Sequence, residues 1–516
     1  MSTQTSHIIG IDLGTTFSVV AYLDASGVPR TVTNSEGDLT TPSVVLFEEN
    51  EVVVGKEAAK AAVLFPEKVA QFAKREMGKP LFSKTFNGQS FPPEVIQSLI
   101  LEKLKRDTQA KIGNVRQAVI TVPAYFNEPK RRATQDAGRL AGLDVLAVIN
   151  EPTAAAIAFG VAEGFLDAHG ESQRTETVLV YDLGGGTFDV SVLRLDGRHY
   201  EVIATDGNVM LGGVDWDMCL AKHLIDQFAD EHLIDPCQNP SGMARFLREA
   251  EEAKRALTAR SHANVIIDFA GAAFRTTVSR AQFDELTAHL LDRTRFTVSK
   301  VIKDAGLTWK DITRILLVGG STRMPQVAEM LQSQSGLPVD RTLSADEVVA
   351  HGAALYGKIV SDRKQGKPEH VRVTNVNSHS LGVLGIEKTT GRNRNRIMIP
   401  ANSPLPSSHV AQFETNTDGQ PNVVVQVIEG GDSSGQNSTL IGKCVVHDLP
   451  PNLPAGTPVL VKFQYTADGM LGVAARLPTV GMTAQLTIQR RSGLTESALQ
   501  DWNDKMRDIY DALDLD

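Results

Sequence analysis

Two short segments combine an aspartate, glycines and threonines in an order that suits phosphate binding. They are Asp12–Thr16 (Asp-Leu-Gly-Thr-Thr) and Asp182–Thr187 (Asp-Leu-Gly-Gly-Gly-Thr). Glycines let backbone N–H groups approach phosphate oxygens, and the threonine hydroxyls add donors. An aspartate at a strand end can hold Mg²⁺ through water, because this ion keeps much of its hydration shell. The alternative is a pair of tight hairpins that need glycine only for geometry, and the match between the two segments, with Asp189 just beyond the second, argues against it.

Two other segments have the residue types of a nucleoside site. Val318–Arg323 places Gly319 and Gly320 after an apolar strand, and the planar guanidinium of Arg323 could stack on a base. An ordinary strand-to-helix turn has the same features. In a helix predicted over Met243–Ala259, four polar side chains share one face, which by itself indicates a solvated face with an intrahelical ion pair. These side chains are Glu251, Lys254, Arg255 and Thr258.

An α/β framework is predicted to position these segments, because short apolar runs alternate with helix-length patterns over the first three quarters of the chain. The chain also repeats itself. Each half has a strand that ends in the phosphate-type turn (Ile8–Gly14 and Val178–Thr187) and a later strand with its own turn (Ala118–Pro123 and Ile315–Gly320). Two related lobes with a cleft between them follow from this repeat.

The pattern changes after the second lobe. Val423 and Val425 alternate with polar residues, which predicts half-buried antiparallel strands, with loops over Thr390–Arg396 and Gly430–Ser438. The predicted boundaries are 1–365 for the lobes, 366–375 for a linker, 376–490 for a compact β domain and 493–516 for an amphipathic helix. The apolar stripe of that helix, which we expect to lie on the β domain, consists of Leu499, Trp502, Met506, Ile509 and Leu513.

Composition limits the class of protein. The chain has 516 residues, 42% of them apolar, and a net charge of −9, so a disordered chain or a general attraction to nucleic acid or anionic membranes is not expected. Three scattered cysteines indicate a reducing compartment, and no signal peptide or membrane span is recognised. A cytoplasmic monomer is predicted. None of the twelve histidines has a metal-ligand spacing, so a metal site made by protein ligands alone is not expected.

At this point the sequence resembles the DnaK-type (70-kilodalton) heat-shock chaperones. The resemblance extends in family order over nearly the whole chain, and it rests on these segments: Ile11–Thr16, Val119–Asn127, Ile149–Ala156, Asp182–Val190, Leu211–Gly213, Ala253–Arg255 and Val318–Arg323. It implies an actin-like, two-lobed ATPase domain followed by a β-sandwich that binds extended apolar peptide, with one C-terminal helix. It also implies an ATP-driven cycle of peptide capture and release, with ATP/ADP and Mg²⁺ as cofactors.

The family's site residues carry over by position. The phosphates and Mg²⁺ would be held by Asp12, Gly14, Thr15, Thr16, Gly184, Gly185, Gly186 and Thr187, with Asp12 and Asp182 binding Mg²⁺ through water. The catalytic set would be Lys74, Glu151, Asp182, Thr187 and Asp189, and either Asp182 or Glu151 could polarise the attacking water. Adenosine would be surrounded by Gly213, Glu251, Lys254, Arg255, Thr258, Gly319, Gly320, Ser321, Arg323 and Asp346.

Two further sets of residues concern peptide and coupling. The resemblance implies a peptide cleft lined by Val383, Ile386, Phe413, Val423, Val425 and Met470; from alternation alone, Val423 and Val425 could equally fill the sandwich core. Pro123 and Arg131 match the pair that signals nucleotide state to the second domain. A J-domain co-chaperone and a nucleotide-exchange factor are possible partners.

The chain departs from the family at four places. Only residues 76–90 separate Arg75 from Phe91, so the first lobe is shortened; Ala147 stands where a basic residue contacts the J-domain partner. The linker Val371–Asn375 is polar, which predicts weak docking, and one helix stands where the family has a helical lid. Two alternatives stay open: another actin-like phosphotransferase, such as a sugar kinase, and a peptide-binding regulator that holds ATP without turnover.

Overall fold

The computed structural model describes residues 7–49, 51–164, 175–367, 371–387, 389–467, 469–486, 489–490 and 494–513. Within them, two α/β lobes come first, then a connecting strand, a β sandwich and a helix. No helix in this part of the chain combines the length and the apolar character needed to cross a bilayer.

The first lobe is built on a mixed sheet. Its strands are β1 (His7–Asp12), β2 (Phe17–Leu23), β3 (Pro29–Val32), β4 (Thr41–Pro42), β5 (Val44–Phe47), β6 (Val52–Val54), β7 (Val69–Gln71), β8 (Thr85–Phe86), β9 (Gln89–Ser90), β10 (Val115–Val122) and β11 (Asp144–Asn150). Its helices are α1 (Lys56–Ala61), α2 (Ala73–Glu76), α3 (Pro93–Ile112), α4 (Glu128–Leu140) and α5 (Glu151–Ala162). The main sheet has the order β11-β10-β1-β2-β3, with β4 paired to β2, and β6-β5-β7 form a separate small sheet.

The second lobe repeats this arrangement. Its strands are β12 (Thr175–Leu183), β13 (Phe188–Asp196), β14 (His199–Asn208), β15 (His262–Phe269), β16 (Ala272–Ser279), β17 (Arg314–Val318) and β18 (Val339–Asp340). Its helices are α6 (Gly213–His232), α7 (Pro240–Ala259), α8 (Arg280–Asp304), α9 (Pro325–Ser335) and α10 (Val348–Lys364). The order β18-β17-β12-β13-β14 matches that of the first lobe strand for strand, which confirms the predicted repeat.

Two helices cross where the lobes meet. In α10, a Cβ added to Gly352 would lie 1.8 Å from the carbonyl oxygen of Ala154 in α5, so the helices touch through their backbones. On β1, a Cβ at Gly10 would lie 2.1 Å from the backbone nitrogen of Ala354. Only glycine permits such close approach, and it fixes the lobes against each other beneath the cleft.

The β sandwich follows the lobes. Its strands are β20 (Leu381–Ile386), β21 (Asn393–Ile399), β22 (Ser407–Glu414), β23 (Val423–Gly430), β24 (Ser438–Val446), β25 (Pro458–Tyr465), β26 (Leu471–Leu477), β27 (Met482–Leu486) and β28 (Gln489–Arg490), where β19 is the connecting strand (Arg372–Thr374). The two sheets have the orders β21-β20-β23-β24-β28 and β22-β25-β26-β27. The loop predicted over Thr390–Arg396 is wrong in its second half, since this polar run pairs with β20 from Asn393 onward.

The linker docks, contrary to the expectation from its polar sequence. Strand β19 adds to the second-lobe sheet in parallel with β14, and the register places Arg372 opposite His199 and Thr374 opposite Glu201. Val371, 4% exposed, packs into the core between the lobes. Pairing through the backbone does not depend on side-chain polarity, and the expectation failed because it considered side chains alone.

The terminal helix, α11 (Glu496–Leu513), also lies where it was not expected. Leu499 (6% exposed) and Met506 (0%) join the core of the first lobe, and the ring of Trp502 lies 5.6 Å from that of Phe91. The predicted position on the β domain is therefore wrong. The short segment before Phe91 carries an aromatic cluster that offers α11 a contact; the side chains of Ile509 and Leu513 lie outside the described residues.

We predict that Met506→Ala releases α11 from the first lobe. Loss of this fully buried side chain should cost about 2–5 kcal/mol of docking free energy. Tryptophan fluorescence would report it as a red shift of Trp502, because Trp216 and Trp309 lie in the second lobe and give a constant background. The exposed neighbour Gln500, changed to Ala, is the control. Equal spectra for the two variants would contradict the docked position.

Candidate functional site

The two glycine hairpins face each other across the inter-lobe cleft. A Cβ added to Gly185 would lie 2.3 Å from Oγ1 of Thr16, and one added to Gly186 would lie 2.5 Å from Oγ1 of Thr15. Gly14 is equally constrained, since its Cβ would lie 1.9 Å from the carbonyl oxygen of Phe17. The hydroxyls of one lobe therefore meet the bare backbone of the other, as a phosphate cradle requires.

Acidic side chains from several elements converge behind the hairpins. Asp12 ends β1 and its Oδ1 accepts from Thr121 at 3.2 Å, while Asp182 and Asp189 are directly opposite each other in β12 and β13. Glu151 begins α5, and its Oε1 lies 2.6 Å from Nζ of Lys74 in α2. Each catalytic residue taken from the family resemblance thus reaches one buried region; Thr187, 5% exposed, closes the second hairpin.

Electrostatics in this region is dominated by buried negative charge. Burial, reinforced by Glu151, raises the pKa of Asp12 to about 7 and that of Asp189 to about 8. Burial and the neighbouring carboxylates also raise the pKa of Asp182 well above its ordinary value. Lys74 opposes the rise in all three pKa values, and Arg131 also opposes the rise at Asp189.

This donor set fits a hydrated divalent cation. In their ionised form, four carboxylates exceed the charge of one lysine, and Mg²⁺ would stabilise that ionised form. Among the described residues, no three His, Cys, Asp or Glu side chains are placed to bind a metal directly. As the family resemblance implies, Asp12 and Asp182 would hold Mg²⁺ through water, together with a phosphate group.

The residues expected around adenosine meet beside the second hairpin. A Cβ on Gly213 would lie 2.4 Å from Oγ of Ser321 and 3.2 Å from Nζ of Lys254, and Ser321 donates to the carbonyl oxygen of Gly184 at 2.9 Å. Lys254 also pairs with Asp217 at 2.7 Å. Gly319 has φ +81° and lies over the strand end, where a Cβ would come 2.5 Å from the carbonyl oxygen of Leu183.

Two arginines border this region. Arg255 pairs with Glu251 at 2.6 Å, as the helix spacing predicts, and its guanidinium lies 5.5 Å from the ring centre of Phe17 in the opposite lobe. Arg323, in the turn Gly320–Arg323, pairs with Asp346 at 2.5 Å. Both guanidinium planes are thus held at the mouth of the cleft. Thr258 lies one turn further along α7 and bonds to the carbonyl oxygen of Lys254.

Arg75 is a cleft residue that sequence reasoning missed. Its guanidinium forks onto Asp215 of α6 at 2.5 and 3.3 Å, and its Nε donates to the carbonyl oxygen of Gly186 at 2.9 Å. The side chain is 12% exposed, so this pair is largely shielded from solvent. It joins the lobes immediately beside Lys74. Asp217 was also missed. Asp215 lies in the first turn of a helix that follows a glycine pair, and Asp217 comes two residues later; this position is the sequence signal for them.

A contact path leads from the carboxylates to the β sandwich. Oδ1 of Asp189 accepts from the backbone nitrogen of Tyr125 at 2.9 Å. The ring of Tyr125 lies 4.1 Å from that of His379, which belongs to the sandwich. Two residues earlier, the carbonyl of Pro123 accepts from the backbone nitrogen of Phe126, which closes a turn. A single turn therefore touches the candidate active site on one side and the sandwich on the other.

Arg131 lies on the same path. Its Nη2 donates to Asn150 at 2.5 Å, next in sequence to Glu151, and its Nε donates to the carbonyl oxygen of Phe126 at 3.0 Å. The guanidinium also reaches the sandwich, where a Cβ on Gly469 would lie 3.9 Å from Nη1. Pro123 and Arg131, the pair predicted to signal nucleotide state, therefore both lie near the docking surface, which is the surface of the first lobe that the sandwich contacts.

A buried carboxyl also lies at the docking surface. Oε2 of Glu429 accepts from the backbone nitrogen of Glu128 at 3.0 Å, and the residue is 4% exposed. Burial raises the pKa of Glu429 to about 8; the hydrogen bond from the backbone of Glu128 and the charge of Arg131 oppose this shift, and the Glu128 carboxylate adds to it. Burial and nearby cations lower the pKa of the adjacent His379 to about 4, so this imidazole is neutral at ordinary pH.

The expected peptide-cleft residues separate into groups. Val383 and Val425, 4% and 3% exposed, belong to the sandwich core, which supports the core alternative for Val425. Phe413 and Val423 are half-buried at the edge of that core, and Ile386 is 65% exposed. The structure therefore supplies three accessible apolar residues at this end of the sandwich.

Met470 is not brought to these residues. It follows the turn after β25, whereas Phe413 is opposite Val459 at the other end of that strand, roughly 20 Å away at 3.3 Å per residue. Open space lies instead beside Gly385, where an added Cβ would meet nothing within 4 Å. Gly385 and Val383 share a sheet face, so the space adjoins the core.

Comparisons with known proteins agree with this architecture. The model of the Hsp70 protein family matches residues 8–86 and 79–512. The chain is 39% identical over 502 residues to the chaperone protein DnaK of Halobacterium salinarum strain R1, an alignment that covers 96% of this chain and 77% of the relative. The chaperone protein DnaK of strain NRC-1 of the same organism matches to the same extent. The match includes both lobes, the linker and the sandwich.

We predict that Lys74→Ala lowers ATP turnover about 10²-fold or more while nucleotide still binds, because a preorganised charge beside developing phosphate charge typically contributes this much. Single-turnover hydrolysis and nucleotide titration measure the two effects separately. Lys79→Ala is the matched control, since Lys79 is 59% exposed and pairs with nearby Glu76 on the surface. Hydrolysis by Lys74→Ala at the rate of this control would remove Lys74 from the catalytic set.

We predict that docking of the sandwich weakens as pH rises. The docked state raises the pKa of Glu429 from 4.5 to about 8, so docking takes up a proton. This contribution is lost as pH rises through about 8. Docking also lowers the pKa of His379 from 6.5 to about 4, which opposes the Glu429 effect at lower pH, so the net weakening is expected between about pH 6.5 and 8. Hydrogen exchange at residues 371–375, corrected for the intrinsic effect of pH, measures it. Glu429→Gln should abolish the trend and the exposed Glu414→Gln should keep it; an unchanged trend in Glu429→Gln would assign it to another group.

Proposed function

Because the chain belongs to the Hsp70 family of ATP-dependent molecular chaperones, we propose that ATP is hydrolysed between its lobes and that extended apolar polypeptide binds in its β sandwich. The observation that carries this proposal is the pairing of the two glycine hairpins over a buried carboxylate cluster. The matched lobes and the docked sandwich form one connected body, which supports the proposal that the two activities are linked.

The chain's own groups divide the work of hydrolysis. The threonine hydroxyls and glycine backbone of the hairpins bind the triphosphate, and Arg255 and Arg323 hold the nucleoside at the cleft mouth. Lys74 stabilises negative charge that develops on the transferred phosphoryl group, as preorganised cations do in phosphoryl transfer. When bound, Mg²⁺ would supply further charge neutralisation through Asp12 and Asp182.

The attacking water needs an acceptor among the carboxylates. Glu151 is engaged by Lys74 at 2.6 Å, which holds it in place and reduces its capacity as a base. Asp182, directly opposite Asp189 in the sheet, carries no such ion pair among the described residues, so its carboxylate can accept a hydrogen bond from the water. We therefore assign the orientation of water to Asp182, and the positioning of Lys74 to Glu151.

The peptide site is proposed at the end of the sandwich where Phe413, Val423 and Ile386 are accessible. The open space beside Gly385 gives an extended chain a place to enter between the sheets. Backbone pairing with the sheet edges and pockets for alternate side chains would then select extended apolar segments.

The proposal also concerns alternatives and partners. Another actin-like phosphotransferase is disfavoured, because the family match continues through the sandwich. The other alternative is a regulator that binds ATP without turnover. Measurable multiple-turnover hydrolysis would distinguish the proposed chaperone from such a regulator. Cytoplasmic location, a monomeric state and help from a J-domain co-chaperone or an exchange factor stay predictions. Ala147, which stands where the family has a basic residue for the J-domain partner, is 7% exposed and supplies no charge for that contact.

We predict that an apolar peptide stimulates ATP turnover and that Gly385→Val removes this stimulation without lowering basal turnover. The new side chain fills the open space and suits a strand, so the melting temperature should stay within about 2 °C. Gly472→Val is the matched control, because its Cβ would make ordinary contacts at 3.7 Å on a strand remote from the space. Peptide affinity in Gly385→Val equal to that of the control would place the peptide elsewhere.

A further inference from the structure

One strand at the proposed peptide site carries a row of arginines. Arg394 and Arg396 lie on β21, and Arg392 precedes them at the hairpin turn, so the three recur at every second residue. All three are exposed. Residues 386–397 contain four basic side chains and one acidic one, in a chain whose net charge is −9. The arginine row is therefore a positively charged patch on a protein with a negative net charge.

The arginine row lies at the mouth between the two sheets. Arg394 is opposite Gly385 and Arg396 is opposite Val383, and residues directly opposite in an antiparallel pair project from the same face. Arg394 thus borders the open space beside Gly385. The guanidinium of Arg396 lies 5.1 Å from the ring centre of Phe413 in the facing sheet, and its Nη1 donates to the carbonyl oxygen of Gln412 at 3.0 Å.

The acidic groups nearby do not cancel this charge. Arg394, 65% exposed, pairs with Glu387 in the same hairpin. Asp418, beyond β22, is turned toward the backbone nitrogen of Ala455. Glu414 ends β22 beside Phe413. Asp432 lies beside Asn395 of β21, and its carboxylate accepts hydrogen bonds from Ser434 in its own loop. A positive excess therefore remains around an apolar entrance.

Resting on the proposed peptide site, we propose that the preferred substrates are extended apolar segments flanked by acidic residues. The apolar centre of such a segment contacts Phe413, Val423 and the space beside Gly385. Aspartate or glutamate residues on either side pair with the arginine row, because a planar guanidinium group can form two parallel hydrogen bonds with a carboxylate. Segments flanked by lysine are disfavoured by repulsion.

Binding of three labelled peptides to the full chain tests this inference. They share one core, Leu-Leu-Val-Leu, and carry two aspartates, two serines or two lysines at each end; fluorescence anisotropy gives their affinities. We expect the aspartate-flanked peptide to bind about tenfold more tightly than the lysine-flanked one at 50 mM salt, and only about twofold more tightly at 500 mM, because exposed charge pairs are screened.

Variants of the arginine row provide the control. Arg392→Ser combined with Arg394→Ser should reduce the preference to about twofold and leave the serine-flanked peptide unaffected. Arg396 is kept, because it packs on Phe413. Lys462→Ser, which removes an exposed cation from β25, should retain the full preference. Equal affinities for all flanks, or tighter binding of the lysine-flanked peptide, would overturn the inference; failure of the serine-flanked peptide to bind would overturn the peptide site on which it rests.

Discussion

Four buried carboxylates that share one lysine are the constraint on which the rest of the ATPase domain depends. They come from β1, α5, β12 and β13, and the lysine comes from α2, so no single element could assemble the cluster. Gathering like charges away from water is unfavourable unless cations compensate them. We expect a bound divalent cation to relieve this repulsion and thereby to favour closure of the lobes. The two hydrogen bonds from Arg75 to Asp215 hold the lobes together without a bound cation or phosphate.

Local patterns predicted the framework and the phosphate-binding hairpins. The glycine turns, the repeat and the helix predicted over Met243–Ala259, which the structure extends to Pro240–Ala259, follow from turn chemistry and periodicity, which act over a few residues. Arg75 could not be found in this way, because its partners are more than a hundred residues away and no spacing encodes them. Alternation placed Val423 and Val425 on one face, but it does not state whether that face opens to a cleft or closes a core.

The two segments that were misplaced share a physical reason. The linker was judged by its polar side chains, yet a strand edge recruits the backbone, and β14 offered an unpaired edge. The apolar stripe of α11 predicted that the helix packs on an apolar surface, but it did not indicate which domain provides that surface. The shortened segment before Phe91 leaves an aromatic cluster in the first lobe, and Arg132 of α4 lies 4.0 Å from Glu496 at the start of the helix. Apolar contact and charge together favour this lobe.

The turn between β10 and α4 explains how so few contacts can join the ATPase cluster to the sandwich. Its backbone donates to Asp189 through Tyr125, and Arg131 holds Asn150 beside Glu151, so two of the four carboxylates are tied to one short segment. The same segment presents the ring of Tyr125 to His379 and the backbone of Glu128 to Glu429. A packed, hydrogen-bonded turn cannot adjust one of these contacts alone. Any displacement of the carboxylates during hydrolysis must therefore also change the surface on which the sandwich is docked.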